Sequence, residues 1–160
     1  MTLNYHLWGH KIVHPSATFD PKSTLQALVQ EKCSDLSGTP EMYSAILTHP
    51  DFEKSKMSSV KVNVLAGTTI LKNHCRMVED EMGAGKVCVG FAEAEYGASF
   101  IQRPWDNYDQ KNNNVGKILA GCKARICKLN SKEPLPRGKR GIHIGGLFLI
   151  QNSKPRYYTS

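Results

Sequence analysis

Glu93 and Glu95 stand two residues apart in the stretch VGFAEAEYGASF, residues 89–100. Carboxylates this close suit a metal site or a general acid–base pair, and they suit a solvated loop equally well. The stretch follows an apolar, strand-like run and itself reads as turn-like, so its surroundings decide between these readings. AGTT, residues 66–69, joins the end of a strand pattern to the start of a helix pattern. Backbone N–H groups and the helix dipole at such a junction favour a nucleotide or another anion, and Gly67 permits close approach. GAGK, residues 83–86, lacks the context of a phosphate loop, because Asp80 stands where the first glycine belongs and Val87 follows the lysine. It reads as a helix C-cap. GIHIGG, residues 141–146, has glycines without the dinucleotide fingerprint. His74 and Cys75 adjoin on one helix, where neighbouring positions do not face each other, and no third ligand lies within reach. The six histidines and the serines of SKMSSV form no nucleophile–base pair.

The elements that must position these residues follow from periodicity. FDPKSTLQALVQEKC predicts a helix with Asp20 as N-cap, Pro21 at its first position, and Leu25, Leu28 and Val29 as its apolar stripe. In SGTPEMYSAILTH, Thr39 caps, Pro40 starts a second helix, and Met42, Tyr43, Ile46 and Leu47 face inward. SVKVNVL alternates Val60, Val62 and Val64 against polar neighbours, the signature of a strand. A third helix follows in ILKNHCRMVEDEM, with Leu71, Cys75, Val78 and Met82 on one face, and KVCVGF is a further strand. The βα alternation favours an α/β sheet of parallel strands. After the polar loop RPWDNYDQKNNN the texture changes to β-strands in VGKILAGCKARICKLN, where Cys122, Ala124 and Ile126 alternate against Lys123 and Arg125, and in RGIHIGGLFLI. The expected organisation is an α/β part over residues 1–112, a β part over 113–150, and a tail over 151–160.

At 160 residues the chain has the length of one domain, enough to bury about 70% of its unfolded surface. Its 40% hydrophobic content supports a packed core, and no apolar run reaches the roughly 20 residues that span a bilayer. The start, MTLNYHLWGHKIVHPS, follows neither signal-peptide nor transit-peptide order, which alone implies a cytoplasmic chain. The five cysteines are irregularly spaced and read as reduced, buried thiols. Charge is uneven: residues 1–116 carry 11 Lys/Arg against 13 Asp/Glu, a net of −2, whereas residues 117–160 carry ten against one, a net of +9. Such a block attracts nucleic acid or anionic membrane, or is a solvated strand face.

In order, FDPKSTLQALVQEKC, SGTPEMYSAILTHPDF, VLAGTTILKN, VCVGFAEAEYGASF, VGKILAGCKARI and PRGKRGIHIGG resemble the central part of the AMP-forming acyl-CoA synthetases, within the adenylate-forming superfamily. The similarity covers about residues 2–146, and within the family the chain resembles the medium-chain fatty-acid–CoA ligase branch that works in mitochondria. Full-length members use ATP and magnesium to adenylate a carboxylate and then pass the acyl group to CoA. The resemblance implies an α/β fold, an incomplete central portion of the N-terminal domain with parallel βα units followed by a β-subdomain segment. It implies that Gly67, Thr68 and Thr69 touch the adenine and border the acyl pocket. Gly38, Thr39 and Pro40 then line the acyl tunnel, although Ser37 and Glu41 replace the usual aromatic and threonine. Within the motif aromatic-G-x-T-E, Phe91 takes the ring position that packs on adenine, and Glu95 the position of the catalytic acid that helps hold magnesium. Ala92 replaces the glycine, Ala94 replaces the threonine that contacts phosphate, and Glu93 occupies the variable position.

The family's upstream phosphate loop has no counterpart before Met1, and Ile142 stands where a glutamate is expected after Gly141. LFLIQNSKPRYYTS departs from the family pattern, where the ribose-binding aspartate, hinge and adenylation lysine would follow. The resemblance therefore implies a truncated ligase with at best residual nucleotide or acyl binding and no full catalytic cycle alone, the full-length family being partnered by a medium-chain fatty acid and a nucleotide, and the chain prone to self-association through unpaired sheet edges. The alternative is a non-enzymatic module whose basic C-terminal quarter contacts nucleic acid or acidic membrane. Basic residues interleaved with strand positions, rather than clustered with aromatics on one helix, disfavour it.

Overall fold

The computed structural model describes residues 5–6, 8–83, 85–93, 97–106, 114–120, 122–131 and 133–146. Asp20 and Pro21 start helix α1 (Pro21–Gln30) as their types require: the Asp20 carboxylate accepts the Ser23 N–H at 2.7 Å, and proline fills a position that needs no donor. Strand β1 (Asp35–Gly38) follows, then helix α2 (Pro40–Leu47), whose Thr39 cap accepts the Met42 N–H. A 3₁₀ turn (Lys54–Met57) leads to strand β2 (Val62–Leu65). Helix α3 (Lys72–Met82) ends at Gly83, whose φ of +83° makes the C-cap expected from GAG. Strands β3 (Lys86–Glu93), β4 (Gly97–Ile101), β5 (Lys117–Ile118), β6 (Lys123–Cys127) and β7 (Ile142–Gly146) complete the order.

The main sheet runs β1-β2-β3-β4-β5. Strands β1, β2 and β3 are parallel, as the βα alternation predicts, with Gly38 opposite Leu65 and Leu65 opposite Val89. Strands β4 and β5 add to it antiparallel, so the sheet is mixed. Between β3 and β4 the change follows from connection length, because a short hairpin can only join antiparallel neighbours whereas a parallel pair needs a crossover helix. Strand β1 lies in a segment, SDLSG, that shows no alternation of its own. Strands β6 and β7 form a separate ribbon, with Lys123 opposite Gly146 and Cys127 opposite Ile142.

One core holds the α/β part together. Leu25 and Leu28 of α1, Tyr43 and Ile46 of α2, Met57, Leu65, Val78 and Met82 of α3, and Val87 pack as one buried cluster. Burying each such side chain contributes about 1.5–3 kcal/mol before entropy is charged against it. Asn63, Val64 and Leu65 are buried in succession, which means that both faces of β2 are covered, as in other parallel sheets. Strand β6 differs: Lys123, Ala124, Arg125 and Ile126 are all exposed and only Cys127 is buried. The expected inward phase of Ala124 and Ile126 is absent, since a two-stranded ribbon offers no layer to bury it against. Among the described residues no helix is long and apolar enough to cross a membrane.

Candidate functional site

Three parallel strands in register bring two loops and the continuing strand β3 to one edge of the sheet. Gly38 ends β1, Leu65 ends β2 beside it, and Val89 of β3 sits at the same level. In open α/β sheets, ligands bind beyond the carboxyl ends of the strands, where such loops converge. The GTP and AGTT segments meet there. The Ala66 N–H donates to the Gly38 carbonyl at 3.1 Å, and a Cβ placed on Gly67 would stand 3.3 Å from the Thr39 methyl group. Gly67 takes φ +91°, a conformation that favours glycine, and it is exposed together with Thr68 and Thr69.

Helix α3 begins at Lys72, two residues later than the end of AGTT implies, with Ile70 and Leu71 intervening. Its first turn is capped by His74, whose Nδ1 accepts the Leu71 N–H at 3.2 Å. This role is invisible in sequence, where His74 draws attention only as the neighbour of Cys75. At the first turn of α2, the Thr39 hydroxyl holds the Glu41 carboxyl below its usual range, with the Glu41 backbone amide and His74 acting in the same sense. Pro40 is buried at the first helical position.

Strand β3 runs beyond the parallel level into a hairpin with β4, and here the turn-like reading of Ala92 and Glu93 is replaced. Phe91 pairs with Phe100, Ala92 with Ala98 and Glu93 with Gly97, and a bulge falls between Phe91 and Ala92. Glu93 is thus the last residue of a strand, not of a loop. The Phe91 ring is half-buried and meets the Phe100 ring edge to face, 6.2 Å between centroids. Ala94 and Glu95 lie outside the described residues. Among the described residues no group of three His, Cys, Asp or Glu side chains could hold a metal ion.

A cleft of about 560 Å³ opens between residues 10–19, α1, β1 and α2. Gly38 is the member of the predicted tunnel trio that lines it, beside Met42, Tyr43 and Ile46. Tyr43 is fully buried, and its hydroxyl donates to the Leu36 carbonyl at 2.7 Å. Burial pushes its phenol far up, and a Val64 backbone hydrogen bond opposes that only in part. Tyr5, at the cleft's rim, is also raised, by partial burial and then by Asp35. Gln102, just past β4, is buried and bonded to the β3 backbone; a lone glutamine after an apolar run carries no motif that would have singled it out.

Residues 1–150 match the model of the AMP-binding enzyme family. The chain is 30% identical over 136 residues to the mitochondrial medium-chain acyl-CoA ligase ACSF2 of Danio rerio, covering 84% of this chain and 22% of that protein. It is 29% identical over 134 residues to the acyl-CoA ligase sidI of Aspergillus fumigatus, covering 83% and 22%. The chain therefore spans about a fifth of the length of these relatives. Among solved structures, ATP-bound MatB from Rhodopseudomonas palustris aligns with a TM-score of 0.67 at 21% identity, over 80% of this chain and 24% of that one. The anthranilate CoA ligase AuaEII, in complex with anthranoyl-AMP, aligns with a TM-score of 0.71 at 19% identity, over 85% and 26%. At that identity the two structures show a shared fold.

Proposed function

The chain belongs to the AMP-binding enzyme family, and from that premise we propose that it carries the adenylate-binding edge of an ATP-dependent ligase joining a medium-chain fatty acid to CoA. The observation that carries this reading is the in-register convergence of Gly38, Leu65 and Val89, which sets the GTP loop, the AGTT loop and Phe91 along one edge. A nucleotide fits that edge. Gly67 leaves open backbone where a base must approach closely, Thr68 and Thr69 are exposed beside it, and the half-buried Phe91 ring offers a stacking face. The relatives' names supply the acyl-CoA product, and the ACSF2 relative supplies both the medium chain length and a mitochondrial setting.

In this proposal Gly67, Thr68 and Thr69 hold the adenine from one side and Phe91 from the other, while Gly38, Thr39 and Pro40 border the acyl chain. Holding both reactants so that the carboxylate meets the α-phosphate in line is the main task of such a site, because positioning alone can remove about 7–11 kcal/mol of a barrier. Glu95 is proposed to help hold magnesium, which would neutralise phosphate charge. Ala92 and Ala94 work against turnover, since neither offers the hydroxyl donor that the position of Ala94 has in the family. Loss of one such donor typically costs about 10²–10³ in rate. The chain is therefore expected to bind nucleotide better than it turns it over.

The test is ATP–pyrophosphate exchange with octanoate, run beside equilibrium binding of ATP. Binding weakened by Phe91→Ala, with slow exchange that Ala94→Thr accelerates, supports the proposal. A folded chain that fails to bind ATP at millimolar concentration overturns it.

A further inference from the structure

We propose that Gln102 is the positioning residue that aims Phe91 at the adenine, by clasping the point where β3 changes partners; the inference rests on the adenylate reading above. Strand β3 pairs with β2 as far as Val89 and with β4 from Gly90 onward. At that change-over the backbone ladder reaches Val89 only through its carbonyl, and the Val89 N–H is left to a side chain. Gln102 meets both groups, one with its backbone and one with its side chain. Its N–H donates to the Val89 carbonyl at 3.0 Å, and its side-chain Oε1 accepts the Val89 N–H at 3.0 Å. The amide's other end donates from Nε2 to the Asn114 carbonyl at 2.6 Å.

The Asn114 end is itself fixed. The Asn114 side chain accepts the Gly116 N–H at 2.8 Å. Gly116, at φ +95°, lies flat on the peptide joining Ile101 to Gln102, so close that a Cβ would fall 2.1 Å from the Ile101 carbonyl carbon. Gln102 is only 2% exposed, so its bonds exchange little with water. One side chain thus joins the ends of β3 and β4 to the segment that enters β5. Val89 and Phe91 are two residues apart on one strand and project from the same face. A fixed Val89 backbone therefore fixes the starting direction of the Phe91 ring and its contact with Phe100. The AGTT and GTP loops lie beyond β2 and β1 and are not joined by this clasp.

Gln102→Met keeps the side chain's length and removes its hydrogen bonds to Val89 and Asn114. Asn114→Ala leaves Gln102 in place and frees the segment it holds. The expected results for Gln102→Met are amide exchange at Val89 at least tenfold faster, with Leu65 unchanged, and shifted ring resonances for Phe91 and Phe100. ATP affinity should fall about tenfold while octanoate affinity stays as it was, a split that general loosening would not produce. Asn114→Ala should show the same pattern at smaller amplitude and serves alone should Gln102→Met fail to fold. Unchanged Val89 exchange and ring resonances overturn the clasp, and equal loss of ATP and octanoate binding overturns its positioning role. Failure of the unsubstituted chain to bind ATP would instead sink the adenylate reading, and the aim at adenine with it. The exchange rates and ring shifts would still decide whether Gln102 sets the direction of Phe91.

Discussion

Tyr43 and Asn63 are both fully buried polar side chains, and they face opposite situations. The Tyr43 hydroxyl has the Leu36 carbonyl at 2.7 Å, whereas neither polar atom of the Asn63 amide has a hydrogen-bond partner among the described residues. A satisfied buried hydrogen bond contributes about 0.5–1.5 kcal/mol, and an orphaned buried polar group costs about 1–3 kcal/mol. Tyr43→Phe should therefore lower stability by about 1 kcal/mol, and Asn63→Val should raise it by a similar amount. Valine also suits a strand covered on both faces. Urea unfolding of the two variants beside the parent checks both signs, and a destabilised Asn63→Val would show that its amide is satisfied after all. Asn63 marks a limit of reading from sequence: in VKVNVL an asparagine looks like a solvent-facing position, and only the burial of both faces of β2 makes it interior.

At the scale of elements, capping chemistry was legible and packing phase less so. Asp20–Pro21 and Thr39–Pro40 specify the starts of α1 and α2 with local chemistry alone, and both starts are found there. The third helix shows what periodicity leaves open. Its predicted stripe of Leu71, Cys75, Val78 and Met82 is buried at Val78 and Met82, yet Leu71 is 57% exposed because it is the N-cap and stands outside the helix. Met82→Ala should accordingly cost about 2–5 kcal/mol, and Leu71→Ala should be nearly neutral, as comparison of their thermal unfolding will show. Strand β1 and the β3–β4 hairpin escaped the sequence reading for a related reason, since partners far along the chain define a strand and a four-residue run records none of them.

The starts of α1 and α2 also predict a pH dependence. The Asp20 carboxyl is lowered first by the Ser23 side chain and then by the Ser23 backbone N–H, and Glu41 is lowered first by Thr39. Carboxyls whose folded values are depressed stabilise the fold above their unfolded values, and that contribution is lost as pH falls through the folded values. Helical circular dichroism should thus decline below about pH 4, near the ordinary carboxylate range. The pair Asp20→Asn with Glu41→Gln should flatten that decline; an unchanged profile would assign it to other groups.

For the whole molecule, edges and charge make opposite predictions about association. Among the described residues, strand β1 is an edge of the main sheet, β5 offers only two residues at the other edge, and Trp8 and Trp105 are 82% and 74% exposed. These features favour association through backbone pairing and apolar contact. The charge distribution offers another route, because a net +9 over residues 117–160 can meet the net −2 remainder of a second copy. Salt separates the two, as raising it from 0.1 M to 1 M shortens the screening length from about 10 Å to about 3 Å. Contact between charges weakens under that change, while apolar and backbone contacts persist or tighten. The +9 block opposes its own kind in a symmetric pair, whereas the β1 edge presents a single carboxylate, Asp35, to a partner strand. Association through the edge is therefore the stronger expectation. Sedimentation velocity across a hundredfold range of protein concentration should show concentration-dependent growth that survives 1 M salt. A monomer throughout would show that a four-residue edge bearing Asp35 is too short to pair, and dissociation by salt would transfer the contact to the basic segment.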